Sequence, residues 1–279
     1  MRTFIVSCVC IVTLAVSSIL HAQGAYIGGD VKSGGRVSGT VTLATKGYKP
    51  VLMEVIKGAQ FCGPKQVSPR LIVGNNNGVC NAVIYVSKIS RGKRQSVVST
   101  KVLQQVHCSF VPHVLLLPNA WSLEVVNEDD GLHNVFGTGA DGTAMFAFIQ
   151  PANGQHTLVQ SVQLTGKGFV AVTSDEDHPW MSGYVVPMDH PYYALTDSLG
   201  EYSIEGIPAG HYTLMMWHEG VKTVKTDAAN VDEGEDNTYE TFSAQRVTKY
   251  YFEAPYILSK EIDVAANGNA TADFVLSLR

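Results

Sequence analysis

Short stretches of alternating apolar and polar residues, separated by turn-forming residues, run through most of the chain. The alternation is clear at 36–43, 201–204 and 271–278, and a period of two is typical of a strand with one buried face. Glycine and asparagine at 74–78 separate two neighbouring apolar runs. Because no segment shows a sustained helical period, the pattern predicts an all-β protein built of short strands.

The first residues are typical of an export signal. Arg2 supplies a positive charge, residues 4–20 form an apolar run, and the small residue Ala22 suits cleavage. We predict a signal peptide at 1–22, a mature chain that starts at Gln23, and a periplasmic or secreted location. The apolar run is too short to favour a permanent membrane span, and no other stretch of the mature chain is expected to cross a bilayer.

Composition and charge exclude some classes of partner. With 45% hydrophobic residues, 26 Gly and 11 Pro, the chain is globular and rich in turns. Its formal net charge is −5, and the predicted loss of Arg2 makes it more negative. Nucleic acids and anionic membrane surfaces are therefore not expected as partners.

Three cysteines follow the predicted cleavage point: Cys62, Cys80 and Cys108. Two of them are expected to form a disulfide in an oxidising compartment, and the sequence alone allows three pairings. Cys80 lies inside the apolar run 79–86, where a small buried hydrophobe is the more common role. We therefore favour the pair Cys62 and Cys108.

Two polar segments contain the candidate chemistry. One follows a predicted strand that ends at Asn127 and includes His133; the other is the loop 173–184, where His178 precedes Met181 by three residues. A β-sandwich that brings such loops together can bind copper through two imidazoles and a thioether. The ordinary alternative is that each histidine makes a structural hydrogen bond and that the methionine packs in the core.

Residues 113–186 resemble a cupredoxin of the amicyanin and plastocyanin type. The resemblance rests on the strand that ends at Asn127, the Leu-His-Asn-Val motif at His133, and the His-Pro-x-Met loop followed by Gly-Tyr-Val. It implies a cupredoxin-like Greek-key β-sandwich. It also implies that His133 and His178 are equatorial copper ligands and that Met181 is the axial ligand.

One ligand of the cupredoxin pattern is missing. In that family the loop reads Cys-x-x-His-Pro-x-Met, and the thiolate gives the blue copper site its colour and its tuned potential. Here the corresponding residue is Asp175, or Ser174 if the loop has one insertion. Asp175 in place of the thiolate predicts a harder site that suits ordinary copper(II) or zinc, and it disfavours fast electron transfer.

A second segment, 189–219, resembles the carboxypeptidase regulatory-like module, which is a transthyretin-like β-sandwich. The order of segments resembles secreted bacterial proteins labelled methylamine-utilisation or plastocyanin-like. We predict an acidic surface insertion at 227–240. The predicted domains are N-terminal strands at 23–105, a cupredoxin-like domain at 106–187, and a regulatory-like module at 188–279 that the strands at 36–56 complete.

Little in the sequence supports an enzyme. Ser174, Asp175 and His178 supply the residue types of a hydrolase, but adjacent positions on one tight loop point in different directions. No nucleophile elbow, Gly-rich phosphate loop or His-Glu-x-x-His motif is present in the sequence. Asp129 and Asp130 lie in a polar turn and are predicted to be solvated. Structural hydrogen bonds are predicted for the other strand and turn histidines, His113, His190, His211 and His218.

The function favoured by the sequence is that of an exported, non-enzymatic copper-binding protein with an altered site. It would handle copper, or retain residual electron transfer, with a redox or copper-handling partner protein. The predicted metal ligands are His133, Asp175, His178 and Met181.

The alternative is a metal-free β-sandwich that binds a surface polysaccharide or a protein through exposed aromatic residues at 192–193 and 250–252. The two hypotheses differ on whether His133 and His178 converge in space.

Overall fold

The computed structural model of the protein describes residues 25–55, 57–97, 99–166, 168–230 and 245–279. The predicted signal peptide and most of the predicted acidic insertion lie outside the described residues. Among the described residues, no helix has the length and apolar character needed to cross a membrane.

Strands make up nearly all of the regular structure, so the predicted all-β fold class is confirmed. The two α-helices in the described ranges have four residues each. The strands are β1 Ile27–Gly29, β2 Gly35–Leu43, β3 Leu52–Glu54, β4 Lys65–Val67, β5 Val83–Val86, β6 Arg91–Lys93, β7 Thr100–Val106, β8 Ser109–Val111, β9 Val114–Pro118, β10 Ser122–Asn127, β11 His133–Thr138, β12 Ala144–Gln150, β13 Gln155–Val159, β14 Val170–Thr173, β15 Ser182–Met188, β16 Tyr193–Leu195, β17 Glu201–Ile207, β18 Gly210–His218, β19 Thr223–Asn230, β20 Gln245–Phe252, β21 Tyr256–Val264, β22 Asn269–Thr271 and β23 Phe274–Leu276, and the helices are α1 Ala59–Cys62 and α2 Ser161–Leu164.

The middle of the chain forms a first sandwich of two sheets. One sheet has the order β13-β10-β7-β8 and the other has the order β12-β11-β14-β15-β9. Leu103 and Val125 from the first sheet pack against Val135 and Val172 from the second in one buried core. Within each sheet one neighbouring pair is parallel, β7 with β10 and β9 with β15, so these strands are linked by crossovers and not by hairpins.

A second sandwich combines strands from both ends of the chain. Its sheets have the orders β16-β5-β18-β21 and β17-β2-β22, and β23 also pairs with β2. Strand β2 alternates buried and exposed residues, with Val37, Val41 and Leu43 in the core. The early strands β2 and β5 therefore share their sheets with strands from the last third of the chain.

Strand β3 departs from the prediction that 36–56 completes the C-terminal module. It pairs with β4, and Met53 packs in the core of the first sandwich instead. The disulfide between Cys62 and Cys108 ties this segment to the first sandwich, which gives a physical reason for the difference.

The two sandwiches meet through an apolar cluster and a buried ionic cluster. The apolar cluster joins Val83 and Trp217 to Leu116 and Val186. In the ionic cluster, the Glu219 carboxylate lies 2.6 Å from the Arg70 guanidinium and accepts a hydrogen bond from the His113 imidazole. Burial alone raises the pKa of Glu219, but the charges of His113 and Arg70 outweigh it and hold the pKa below its ordinary value.

We expect Glu219→Gln to lower the free energy of unfolding at neutral pH by about 3–5 kcal/mol, because it leaves Arg70 buried without its counter-charge. A carboxyl with a lowered pKa stabilises the fold at every pH above its unfolded value and loses this effect only as the pH falls through the lower folded value. The difference between variant and wild type should therefore shrink in acid.

Urea unfolding over a range of pH measures this difference. The matched control is Glu261→Gln, since Glu261 is exposed on β21 and its loss should change stability by less than about 0.5 kcal/mol. Equal effects of the two substitutions would contradict the assigned role of Glu219.

Candidate metal centre

His133 and His178 lie side by side at one end of the first sandwich. His133 is the first residue of β11, and His178 lies in the loop between β14 and β15. Because β11 and β14 are antiparallel neighbours, the loop before the one and the loop after the other meet at the same edge. The ring centroids are 4.7 Å apart and the rings are nearly perpendicular. Both side chains are buried, so the two histidines converge as the metal hypothesis requires. We call this pair the two-histidine centre.

The loop before His133 is held by Asn127, which ends β10. The side-chain amide of Asn127 donates to the carbonyl of Gly131 at 2.8 Å, and its oxygen accepts from the backbone N–H of Asp129 at 3.0 Å. These bonds close the turn and direct Asp129 inward. The prediction that Asp129 is solvated is wrong, because the turn buries its side chain against His133.

Asp129 determines which nitrogen of His133 is free. One oxygen of its carboxylate accepts hydrogen bonds from His133 Nε2 at 2.9 Å and from the backbone N–H of Cys108 at 2.9 Å. Burial raises the pKa of Asp129, but these hydrogen bonds outweigh it and the pKa is lowered. An ionised carboxylate can only accept, so Nε2 carries the proton. In the neutral imidazole the lone pair of His133 is then on Nδ1, which is buried and has no hydrogen-bond partner among the described residues.

Asp175 fixes His178 in the opposite sense. Its Oδ1 accepts from His178 Nδ1 at 3.0 Å and from the backbone N–H groups of Asp177 and His178, while its Oδ2 accepts from the Asn134 side chain at 2.6 Å. Burial raises its pKa, but the bonds from His178 and Asn134 lower it to about 2. Nδ1 of the neutral His178 therefore carries the proton. Nε2 holds the lone pair and is buried, with no hydrogen-bond partner in the part of the chain that the structure describes.

This arrangement suits a metal ion. A hydrogen bond from the non-ligating nitrogen to a carboxylate is the usual way in which proteins orient a metal-binding imidazole. Asp175 engages both of its oxygens in hydrogen bonds, so it positions His178, and its role as a ligand stays a prediction. Met181 is buried, and its backbone N–H donates to the His178 carbonyl at 3.0 Å, so both residues belong to one tight turn.

The Cys62–Cys108 disulfide, the pairing favoured from the sequence, lies against this centre. Both sulfurs and one ring nitrogen of His178 lie within 4.8 Å of one another. The sulfur of Cys108 also lies within 4.8 Å of a ring nitrogen of His133. No sequence pattern indicated this proximity, because Cys62 is far from both histidines along the chain. Cys80 is free and half-buried, and burial raises the pKa of its thiol.

Phe61 covers the two-histidine centre. Its ring centroid lies 6.2 Å from those of His133 and His178, and helix α1 carries it there together with Cys62. A Cβ atom added at Gly131 would lie 2.3 Å from ring carbons of Phe61, so only glycine lets the ring approach this closely. The sequence alone did not reveal the roles of Phe61 and Asp129, although Asp129 precedes His133 by only four residues.

An open cleft of about 680 Å³ lies beside the loop that holds His178. Its walls include Asp175 and Met181 from the loop after β14, and Tyr250 and Phe252 from β20. The cleft gives solvent a route to the loop that holds His178. Phe61 and the disulfide instead lie against the two histidine rings.

The remaining predicted structural histidines all make hydrogen bonds. Their partners are Ser182 and Glu219 for His113, Val86 for His190, Asp263 for His211, and the Glu219 carbonyl for His218. The prediction that the aromatic residues at 192–193 are exposed is wrong for Tyr192. Its side chain is fully buried, and its hydroxyl accepts a hydrogen bond from the backbone N–H of Lys93.

Comparison with known proteins gives matches to solved structures only. No protein-family model and no curated protein matches the chain. A purple cupredoxin from Nitrosopumilus maritimus is 17% identical, with a TM-score of 0.26, and the match covers 32% of this chain and 99% of that one. A copper-containing nitrite reductase from Thermus scotoductus is 23% identical, with a TM-score of 0.26, and the match covers 37% of this chain and 25% of that one. Because both TM-scores are low, the cupredoxin-like type of the sandwich stays a prediction.

We expect opposite neutral tautomers for the two histidines in the metal-free protein. His133 should carry its proton on Nε2 and His178 on Nδ1, because each carboxylate accepts from that nitrogen. Ring nitrogen chemical shifts in a long-range proton–nitrogen NMR spectrum distinguish the two forms. His190 is an internal control for the Nε2 form, since its Nε2 faces the Val86 carbonyl. The same tautomer in His133 and His178 would contradict the arrangement.

Gly131→Ala should lower the free energy of unfolding by about 1–3 kcal/mol, because the new methyl group overlaps the Phe61 ring. Gly29→Ala is the matched control, since a Cβ atom there meets open space. Chemical denaturation measures both variants. A Gly131 variant as stable as the control would show that Phe61 does not rest against this turn.

Proposed function

We propose that this protein is an exported copper-binding protein whose metal centre is an altered cupredoxin site. The supporting observation is a pair of buried imidazole nitrogens, Nδ1 of His133 and Nε2 of His178, that find no hydrogen-bond partner within the described ranges and belong to rings whose centroids are 4.7 Å apart. A buried nitrogen that lacks a partner is costly. Two of them side by side, each with its opposite nitrogen bonded to a carboxylate, are explained by a shared metal ion.

The nature of the donors favours copper. Imidazole nitrogen suits copper well, and the thioether of Met181, the predicted axial ligand, favours copper(I). The protein would bind a copper ion at this centre and transfer it to a copper-handling partner protein. Without a thiolate from the His178 loop, the centre lacks the covalent bond on which blue copper sites depend, so copper handling is favoured over electron transfer.

The protein's own residues prepare the centre. Asp129 and Asp175 orient the two rings. Asn134 donates to the Asp175 carboxylate, and Asn127 holds the backbone of the turn that carries Asp129. Phe61 excludes water from one side. Export is supported by the disulfide, since disulfides persist in oxidising compartments, and by the predicted signal peptide.

A copper(II) titration of the purified protein, followed by calorimetry, tests the proposal. We expect one saturable site, and His133→Ala or His178→Ala should weaken it by about 100-fold or more, since even the loss of an orienting partner costs 10–100-fold. Asp129→Asn should fall in that smaller range. The matched control is His156→Ala, because His156 is exposed and bonded to Glu124.

Copper binding that His133→Ala, His178→Ala and Asp129→Asn leave unchanged would contradict the proposal, and so would the absence of copper binding. In that case the fold would serve as a metal-free binding module, the alternative that the sequence left open.

A further inference from the structure

We propose that reduction of the Cys62–Cys108 disulfide creates a second, stronger metal-binding state of this centre. In that state both thiolates join His133 and His178 to bind one thiophilic closed-shell ion, of the class of Zn²⁺ and Cu⁺. The inference goes beyond the proposed function, because it concerns two sulfurs and an oxidation state that the two-histidine centre does not use.

The positions of the donor atoms support this assignment. The two sulfurs and a nitrogen of His178 lie within 4.8 Å of one another, as do the sulfur of Cys108 and a nitrogen of His133. In a tetrahedral zinc site with two sulfur and two nitrogen ligands, the donors are about 3.3–3.8 Å apart, given metal–sulfur bonds near 2.3 Å and metal–nitrogen bonds near 2.0–2.1 Å. The sulfur of Cys108 belongs to both sets, and we infer that the freed thiols and the two rings shift around it until all four donors reach this spacing.

Hydrogen bonds hold both cysteines in addition to the disulfide, and the Gln66 side chain, which also donates to the His107 carbonyl at 3.1 Å, links the Cys62 segment to the Cys108 turn. The backbone N–H of Cys108 donates to Asp129 at 2.9 Å, and its carbonyl accepts from the indole of Trp180 at 3.1 Å. The backbone N–H of Cys62 donates to the Gly58 carbonyl at 2.8 Å, and its carbonyl accepts from the Gln66 side chain. Reduction therefore leaves both thiols beside the histidines.

Asp129 couples the two halves of the reduced site. One of its oxygens accepts both from His133 and from the Cys108 backbone, so a single carboxylate orients a nitrogen ligand and a sulfur ligand. A salt bridge of 3.0 Å between Lys57 and Asp177 links the chain ahead of α1 to the loop of His178. The four donors thus lie on elements that are already bonded to one another.

The thiolates also supply the ligand type that the His178 loop lacks. Thiolate and imidazole together favour zinc or copper(I) in tetrahedral geometry, whereas two neutral imidazoles and a thioether bind such ions less strongly. Because all four donors are buried, a bound cation would also neutralise two thiolates that are unfavourable on their own in this environment.

The chemistry balances with a dithiol as the reductant. The dithiol gives two electrons and two protons, the sulfur–sulfur bond of the protein breaks to give two thiols, and the donor closes to its own disulfide. The metal ion then displaces both thiol protons to solvent and accepts the neutral lone pairs of the two histidines. Reoxidation reverses the first step and releases the metal.

The experiment compares oxidised and reduced protein with Co²⁺ as the spectroscopic probe and Zn²⁺ as the competitor. All samples carry Cys80→Ser, so that no other thiol of the mature chain contributes. We expect the reduced protein to bind one Co²⁺ with a sulfur-to-metal charge-transfer band and to bind Zn²⁺ at least about 100-fold more tightly than the oxidised protein. The added substitutions Cys62→Ser and Cys108→Ser should remove the band, and His178→Ala should weaken binding without removing it.

Three results would overturn the inference: equal Zn²⁺ affinity in the two oxidation states, binding without a thiolate band, or loss of the β-sheet circular dichroism on reduction. The test is separate from that of the proposed function. Failure of the oxidised protein to bind copper removes the proposed function and leaves this inference standing if the reduced protein binds as expected, and the reverse also holds.

Discussion

The hydrogen bonds from His133 to Asp129 and from His178 to Asp175 hold the two imidazole rings in opposite tautomers, and the rest of the centre depends on them. Each carboxylate is itself fixed by backbone N–H groups of its own turn or of the Cys108 turn. Without these bonds either ring could turn its lone pair toward another donor. With them, two buried nitrogens are left that no group among the described residues satisfies, and the proposed metal ion would satisfy both.

The sheets and the disulfide impose the remaining constraints. Antiparallel pairing of β11 with β14 brings two loops to one edge of the first sandwich. The disulfide then draws α1 over that edge, so Phe61 and two sulfurs lie against the histidines. An additional buried cluster of Glu219, Arg70 and His113 joins the first sandwich to the second, and His113, which directly precedes β9, also bonds to the Ser182 carbonyl at the start of β15.

Local patterns in the sequence were sufficient to predict the all-β class, strands such as β2 and β17, the disulfide partners and the convergence of the two histidines. Strand β2 alternates buried and more exposed residues, and β9 is buried throughout. Both patterns can be read from the order of apolar and polar residues in the strand itself. The contacts of Asp129 and Phe61 could not be predicted in the same way. Asp129 is buried by a turn that Asn127 closes, and Phe61 reaches the centre through a disulfide and the open space above Gly131. Both depend on tertiary contacts between distant segments, as does the choice of Asp175 as an orienting group.

The most direct test of the central claim is a crystal structure of the oxidised protein loaded with copper(II), with anomalous scattering measured at the copper absorption edge. We predict one strong anomalous peak, which marks a copper ion bonded to Nδ1 of His133 and Nε2 of His178 and adjacent to Met181. A peak only at an exposed group such as His211 with Glu261 and Asp263, with both buried nitrogens left unbonded, would contradict it.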